Sequence, residues 1–100
     1  QIAARVKAAR DIQIARFEGR ADMRSNADAE GEILKEIATP DAEGSALLSR
    51  VAERFALSAR GYHRVLRVAR TIADLDGSAD VCHRHVAEAV SYRVPHPNGS

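Results

Sequence analysis

Helical periodicity is the feature of this sequence that most constrains its fold. Between Ser58 and Leu75, apolar residues recur at the 3.6-residue period of an α-helix. These residues are Tyr62, Val65, Leu66, Ala69, Ile72 and Ala73. Four further segments show a helical period, and no segment shows a convincing strand alternation. The sequence therefore predicts an all-α fold, a small bundle of four to five helices.

The first two helices are predicted from apolar stripes and from the residues that bound them. The first helix runs from about Ile2 to Glu18 and stops at Gly19. Its stripe consists of Ile2, Val6, Ala9, Gln13 and Phe17. A short second helix is capped by Asn26 or Asp28. Its core-facing residues are Ile33, Leu34 and Ile37.

Two further interruptions of the helical pattern predict where the third and the last helix start. Thr39 caps the third helix, Pro40 is tolerated at its first position, and Asp41 suits the positive end of the helix. Its core face consists of Leu47, Leu48, Val51, Ala52 and Phe55. The last helix runs from about Cys82 to Tyr92 and turns its own apolar residues inward. These residues are Val86, Ala89 and Val90.

Length and composition bound the organisation of the chain. One hundred residues can bury a single core, so we expect one domain over residues 1–94 and a frayed tail over 95–100. The chain starts without methionine at a residue typical of a helix interior, which indicates a piece of a longer protein. We expect no membrane segment, because the uncharged runs are short and no signal-like start is present. A single cysteine, Cys82, fits a reducing compartment, and the cytoplasm is the expected location.

Charge is distributed unevenly although the net charge is only +1. Residues 26–56 carry three basic and seven acidic groups, whereas residues 57–75 carry four basic groups and one acidic group. On a helix of 100° per residue, Arg60, Arg64 and Arg67 fall within about 60° of one another. We call these three residues the arginine edge. Its local positive charge fits a phosphate-binding site or a contact with a partner.

Arg60 lies in the first turn of its helix, where a cation is unfavourable because the helix dipole is already positive there. Free backbone amides and a guanidinium at this position together suit a phosphate oxygen. The alternative is that the arginine edge is a solvated face, paired with acidic residues between positions 28 and 43.

Cysteine and histidine residues offer little basis for a metal site. Cys82, His83 and His85 are close in sequence, but neighbouring residues on a helix point in different directions, and no second ligand pair follows at fixed spacing. We expect these residues to serve as helix-start or surface residues. His63 lies beside the arginine edge, and a surface role is favoured over catalysis.

The stretch Leu57–Ser78 closely resembles the C-terminal domain of the magnesium-chelatase-related AAA+ ATPases, in the group of competence protein ComM and YifB. The first helix fits the opening pattern of that family, and the last helix fits its closing helix, so the resemblance covers about residues 5–93. The opening match consists of Val6, Ala9, Arg10, Gln13 and Arg16. The closing match consists of His85, Val86, Glu88, Ala89, Tyr92 and Arg93.

This resemblance implies a helical lid that packs on an upstream core holding ATP and Mg2+. The arginine called sensor 2, which contacts the terminal phosphates of the nucleotide in this superfamily, matches Arg60. Arg64 and Arg67 are weaker candidates on the same face. Gly61 departs from the expectation of a helix former in the first turn, and Cys82 stands where a Ser or Thr cap is natural.

The resemblance further implies a ring-forming motor, a hexamer, that acts on DNA in the manner of a branch-migration helicase of natural transformation. A second interpretation is the ATPase subunit that drives magnesium insertion into protoporphyrin. A third is an independent helical interaction or DNA-binding module, and a fourth is a bundle that only stabilises a ring interface. The chain has no nucleotide-binding loop or catalytic motif of its own, so we expect no enzymatic activity from this part alone.

Overall fold

The computed structural model describes residues 2–20, 23 and 25–93. Within them the chain forms five α-helices and one 3₁₀ turn, which confirms the all-α prediction. The elements are α1 (Ile2–Arg16), the 3₁₀ turn (Asn26–Asp28), α2 (Gly31–Ala38), α3 (Ala42–Arg54), α4 (Ala59–Leu75) and α5 (His83–Arg93). None of the described helices combines the length and the apolar character that crossing a membrane requires. The tail predicted at 95–100 lies outside the described residues.

Helix α4 forms the centre of the bundle. It packs against α1, α2, α5 and the 3₁₀ turn, while α3 packs on α5. Its predicted apolar face is confirmed: four residues are buried and Tyr62 and Ile72 are half-buried. The buried four are Val65, Leu66, Ala69 and Ala73. An isolated bridge between Pro40 and Val81 ties the α2–α3 connection to the α4–α5 connection.

Helix α1 follows its predicted stripe over only part of its length. Ala9 and Phe17 are buried as expected, but Ile2 and Val6 are 78% and 41% exposed. The reason is that α1 meets α4 at the C-terminal end of α4, where Arg5 Nε donates to the Leu75 carbonyl oxygen over 3.1 Å. Ile2 and Val6 therefore lie beyond the side of α1 that the end of α4 contacts.

The predicted caps of α2 and α3 were wrong. Asn26 belongs to the 3₁₀ turn and is buried, and α2 starts later, after Glu30, without a side-chain cap. The cap of α3 is Asp41, whose side chain accepts a 2.8 Å hydrogen bond from the Gly44 amide, and not Thr39. The hydroxyl of Thr39 instead donates to the Lys35 carbonyl at the end of α2. Sequence patterns identified these helices but misplaced their first residues, because several adjacent residues were able to cap each one.

Phe55 corrects the predicted core face of α3. It follows the last helical residue and is 41% exposed, with the Arg54 guanidinium 5.9 Å from the centre of its ring. The next residue, Ala56, has φ 51°, in the left-handed region that closes many helices. The Leu57 amide donates to the Ala52 carbonyl over 3.0 Å, which completes this C-terminal turn. Helix α3 therefore ends one residue earlier than its apolar periodicity indicates, and the turn rotates Phe55 outward.

Gly44 and Gly61 occupy the same position in their helices. We expect replacement by alanine to change the free energy of unfolding in opposite directions at the two sites. Each donates its amide to the side chain of its N-cap residue, Asp41 or Ser58. A Cβ at Gly44 would lie 2.9 Å from Pro40 Cβ, whereas a Cβ at Gly61 would meet no atom closer than 3.5 Å. Gly44→Ala should lower the free energy of unfolding by about 1–3 kcal/mol. Gly61→Ala should raise it by up to about 1 kcal/mol, because alanine favours the helix.

Urea denaturation of the two variants measures both changes. Each glycine serves as the control of the other, because helix position and capping bond are matched. Equal shifts of the two midpoints would contradict the close approach of Gly44 to Pro40.

Candidate functional site

The N-terminus of α4 is held by a capping bond and leaves one arginine free. Ser58 Oγ accepts a 3.0 Å hydrogen bond from the Gly61 amide, which confirms Ser58 as the predicted cap. The amides of Ala59 and Arg60 have no intrahelical acceptor at this position. The Arg60 side chain is exposed, and among the described residues it makes no hydrogen bond or ion pair. The free backbone amides and the Arg60 guanidinium thus lie together at the N-terminus of α4.

The other two residues of the arginine edge lie further along α4. Arg64 is exposed, whereas Arg67 is half-buried and its Nε donates to the Ala29 carbonyl over 2.8 Å. Both line a surface groove of about 300 Å³ that also includes Val68 and Ile72. The structure thus brings Arg64 and Arg67 to one groove, while Arg60 lies outside its lining.

The alternative interpretation of the arginine edge was a solvated face paired with the acidic segment, and the exposure of Arg60 and Arg64 agrees with its solvated part. Arg67 does contact that part of the chain, but through a main-chain carbonyl and not through a carboxylate. Neither Arg60 nor Arg64 forms an ion pair with the residues between 28 and 43 that the structure describes. Because Arg60 is uncommitted, its guanidinium is free to contact an anion brought by another part of the protein.

A buried polar cluster joins α1, the 3₁₀ turn and α4. The Arg16 guanidinium donates to both carboxylate oxygens of Asp74, each over 2.8 Å, and to Asn26 Oδ1 over 2.7 Å. The Asn26 side-chain amide donates to Asp74 Oδ2 over 2.9 Å and to Thr71 Oγ1 over 3.0 Å. Gln13 Oε1 accepts a 2.9 Å hydrogen bond from the backbone amide of Asn26. Since Asp74 is 1% exposed, these bonds replace the water it loses on folding.

Arg70 adds a second cation to this cluster. Its Nη2 lies 3.1 Å from Asp74 Oδ1 and donates to the Ser78 carbonyl over 2.8 Å. Its Nη1 donates to the carbonyls of Ile37 and Ala79, each over 3.1 Å. Arg70 therefore fastens the end of α2 and the α4–α5 connection to α4.

Electrostatics in the cluster follow from this geometry. Burial raises the pKa of Asp74, but the hydrogen bonds from Arg16 and Asn26 and the charges of Arg70 and Arg16 outweigh it, so the pKa lies below its usual range. Burial lowers the pKa of Arg70, and the charge of Arg16 adds to the effect, although Asp74 opposes it. An ionised Asp74 thus holds two guanidinium groups together.

Sequence reasoning missed the Arg70–Asp74 pair. A usable signal was present, because the two residues are four apart and border the apolar stripe beside Leu66 and Ala73. The family pattern had already singled out Gln13 and Arg16, and the structure assigns both to the contact of α1 with the 3₁₀ turn and α4. In this chain these two motif residues hold α1 against the 3₁₀ turn and α4.

His85 corrects part of the expectation for the histidines. It stands near the start of α5 as predicted, but it is buried at 2% exposure and not at the surface. Its Nδ1 accepts a 2.9 Å hydrogen bond from the Cys82 amide, and its Nε2 lies 3.1 Å from Asp76 Oδ2. The imidazole thus closes the first turn of α5, a task often performed by a Glu or Gln side chain at this position.

Cys82 and the neighbouring histidines do not converge on a point. His83 is exposed, whereas His85 is buried and engaged on both ring nitrogens. His63 is half-buried, and its ring meets the Tyr62 ring edge-on with centroids 6.2 Å apart. In the part of the chain that the structure describes, no group of three or more His, Cys, Asp or Glu residues is arranged to hold a metal ion.

The hydrogen bonds of His85 predict its tautomer. Nδ1 must be unprotonated to accept from the Cys82 amide, so the neutral ring carries its proton on Nε2 and donates to Asp76. Nitrogen chemical shifts at neutral pH, measured by long-range proton–nitrogen NMR, should show Nδ1 as the acceptor. Exposed His83 serves as the reference in the same spectrum. A spectrum with the proton on Nδ1 of His85 would contradict the capping geometry.

Comparisons with known proteins identify relatives over nearly the whole chain. The family described as magnesium chelatase, subunit ChlI C-terminal, matches residues 1–93. YifB of Escherichia coli is 36% identical over 90 residues, which are 90% of this chain and 17% of YifB. An uncharacterized protein of Mycobacterium bovis is 34% identical over 93 residues, 93% of this chain and 18% of that protein.

A shorter match has a higher sequence identity than these two. Competence protein ComM of Haemophilus influenzae is 47% identical over 47 residues, which are 47% of this chain and 9% of ComM. The chain spans less than a fifth of the length of these curated relatives.

Proposed function

The chain belongs to the family of the C-terminal domain of magnesium chelatase subunit ChlI, and from that premise we propose that it is the helical lid of a longer AAA+ ATPase. In this proposal an upstream core of the same protein holds ATP and Mg2+, and the lid closes over the nucleotide. Arg60 contacts the terminal phosphates as the sensor-2 arginine. The supporting observation is the uncommitted Arg60 side chain beside the free amides that begin α4.

Phosphoryl transfer gives such an arginine a definite task. Negative charge spreads over the equatorial oxygens of the transferred phosphoryl group, and a positioned guanidinium stabilises it. Arg64, exposed one turn later, is a secondary contact on the same edge. Arg67 is the weakest of the three candidates, because its Nε is already bonded to Ala29.

The substrate of the proposed ATPase is inferred from the proteins that this chain resembles. We place the chain in a ring, a hexamer, that acts on DNA in the cytoplasm, as a branch-migration helicase of natural transformation does. Its similarity to a competence protein supports this choice, since competence is the ability of a cell to take up DNA.

ATP hydrolysis by the full-length protein, with and without DNA, tests this function. We expect turnover that rises when single-stranded or branched DNA is added. A protein that hydrolyses ATP at the same rate with and without DNA would contradict the DNA motor and leave the lid assignment intact.

Magnesium chelation is the second candidate, and the description of the matching family favours it. It predicts ATP-dependent insertion of Mg2+ into protoporphyrin when the remaining chelatase subunits are supplied, and no response to DNA. An independent DNA-binding module would instead bind DNA as the isolated 100-residue chain without nucleotide. Its affinity would fall steeply with salt.

A further inference from the structure

Helix α4 bears a groove beside its buried stripe. Its residues at the i, i+3, i+4, i+7 and i+8 positions of one helix face line this groove together with Ala27 of the 3₁₀ turn. We call this groove, of about 300 Å³, the α4 groove. Its residues from α4 are Arg64, Arg67, Val68, Thr71 and Ile72.

The two ends of the α4 groove differ in chemistry. Arg64 and Arg67 lie toward the N-terminal end of α4, and Ile72 lies toward its C-terminal end. The helix rises about 12 Å from residue 64 to residue 72. Val68 and Ile72 are half-buried, so the core covers them only in part. The groove therefore offers positive charge and an aliphatic floor within the reach of neighbouring side chains of one ligand.

Polar groups of the α4 groove are available to a ligand. Arg64 is exposed and makes no hydrogen bond or ion pair among the residues that the structure describes. Arg67 Nε donates to the Ala29 carbonyl over 2.8 Å, while its Nη nitrogens have no bond in the described part of the chain. That bond restricts the Arg67 side chain, so less conformational entropy is lost when its guanidinium binds an anion. Thr71 Oγ1 accepts from Asn26 Nδ2 over 3.0 Å, which leaves the hydroxyl proton for another acceptor.

These groups fit an anion that is attached to an aliphatic chain. None of the described residues that line the groove is acidic or aromatic. A nucleic acid strand fits less well, because its bases are held by stacking on aromatic side chains. A carboxylate pairs well with guanidinium groups, and an adjacent leucine or isoleucine removes the apolar floor from water. An acidic protein segment carries both groups within one or two residues.

We propose that the α4 groove binds an acidic segment of a partner protein, with an Asp or Glu carboxylate on the two arginines and a neighbouring aliphatic side chain on Val68 and Ile72. Charge complementarity decides for this occupant, because the groove carries two cations and the segment supplies the carboxylate. Binding at the groove is independent of ATP, since Arg60 lies outside its lining. Arg67, the weakest candidate for a phosphate contact, has a central role in this interaction.

A short peptide of alternating glutamate and leucine is the probe for the α4 groove. When it is added to the 100-residue chain, the methyl resonances of Val68 and Ile72 should shift in NMR spectra and saturate. A matched peptide with glutamine in place of glutamate should bind about tenfold more weakly, because it lacks the charge-assisted hydrogen bonds. A matched peptide with serine in place of leucine should also lose affinity, because it leaves the floor exposed.

Variants of the chain test the same contacts from the other side. Arg64→Gln should weaken binding of the glutamate–leucine peptide by about tenfold. The fold should persist in this variant, because the Arg64 side chain makes no bond among the described residues. Val68→Thr keeps the shape of the floor but adds a hydroxyl group, and it should also lower the affinity. Arg50→Gln is the control, since it removes an exposed arginine of α3 outside the groove and should leave the affinity unchanged.

Three results would overturn the proposal. One is equal affinity for the glutamate and glutamine peptides, or equal effects of Arg64→Gln and Arg50→Gln. Another is displacement of the peptide by a single-stranded oligonucleotide that shifts the same methyl resonances at lower concentration, since the ligand would then be a nucleic acid. The third is binding of a fluorescent peptide to the 100-residue chain but not to the full-length protein, since the groove would then be covered within the longer chain. No ATP is present in these measurements, so their failure is separable from a failure of the Arg60 assignment.

Discussion

Replacing Asp74 by alanine should destabilise the domain more than any other single truncation considered for this fold. The carboxylate is buried, and its removal leaves the guanidinium groups of Arg16 and Arg70 close together without their shared counter-charge. Breaking a buried ion pair in this way costs about 3–5 kcal/mol. The free energy of unfolding of a domain of this size is roughly 5–15 kcal/mol, so the variant should be partly unfolded at moderate temperature.

Circular dichroism and urea denaturation of the isolated chain measure this loss. Asp11→Ala is the control: Asp11 pairs with Lys7 over 3.0 Å on an exposed face of α1, and such pairs contribute little. An Asp74→Ala variant as stable as Asp11→Ala would show that the buried cluster does not hold α1 to α4.

The lowered pKa of Asp74 also fixes the direction of the acid response. A carboxyl group whose pKa is depressed in the folded state stabilises the fold above its unfolded pKa of about 3.9. That contribution is lost as the pH falls through the folded value. The domain should therefore lose stability progressively below about pH 4. Asp74→Asn should flatten this part of the pH profile, and an unchanged slope would contradict the assignment to Asp74.

The helical framework was predictable because it rests on local patterns. The period of α4, its Ser58 cap and its end at Leu75 are all encoded within the helix itself, and the structure confirms them. The exposure of Ile2 and Val6 was not predictable, because it depends on where α4 ends relative to α1.

The buried polar residues show a second limit of sequence reasoning. The sequence predicts only a capping role for Asn26, yet this residue is buried at 1% exposure. Its burial is stabilised by Arg16, Thr71 and Asp74, which are distant in sequence, and no periodicity encodes such a contact. The arginine edge was predictable only in part. Its shared face follows from helical spacing, but the bond between Arg67 and Ala29 depends on tertiary packing.

Arg60→Ala should cause the largest functional loss. If Arg60 stabilises charge on the terminal phosphate in the transition state, removing its guanidinium should lower turnover on the order of 10²-fold. Lysine at this position keeps the charge but loses the planar fork, so Arg60→Lys should restore only part of the activity. The domain should stay folded, because the exposed Arg60 side chain makes no bond among the described residues.

The measurement that tests the central claim most directly is ATP turnover by the full-length protein at saturating ATP and Mg2+, for the wild type, Arg60→Ala and Arg50→Ala. Arg50 is an exposed arginine on α3 and controls for the loss of a surface charge. The sensor-2 assignment of Arg60 predicts that Arg60→Ala loses about 10²-fold in turnover, while Arg50→Ala keeps wild-type turnover and both variants assemble normally. Wild-type turnover by Arg60→Ala would contradict it, and the arginine edge would then belong to a partner contact.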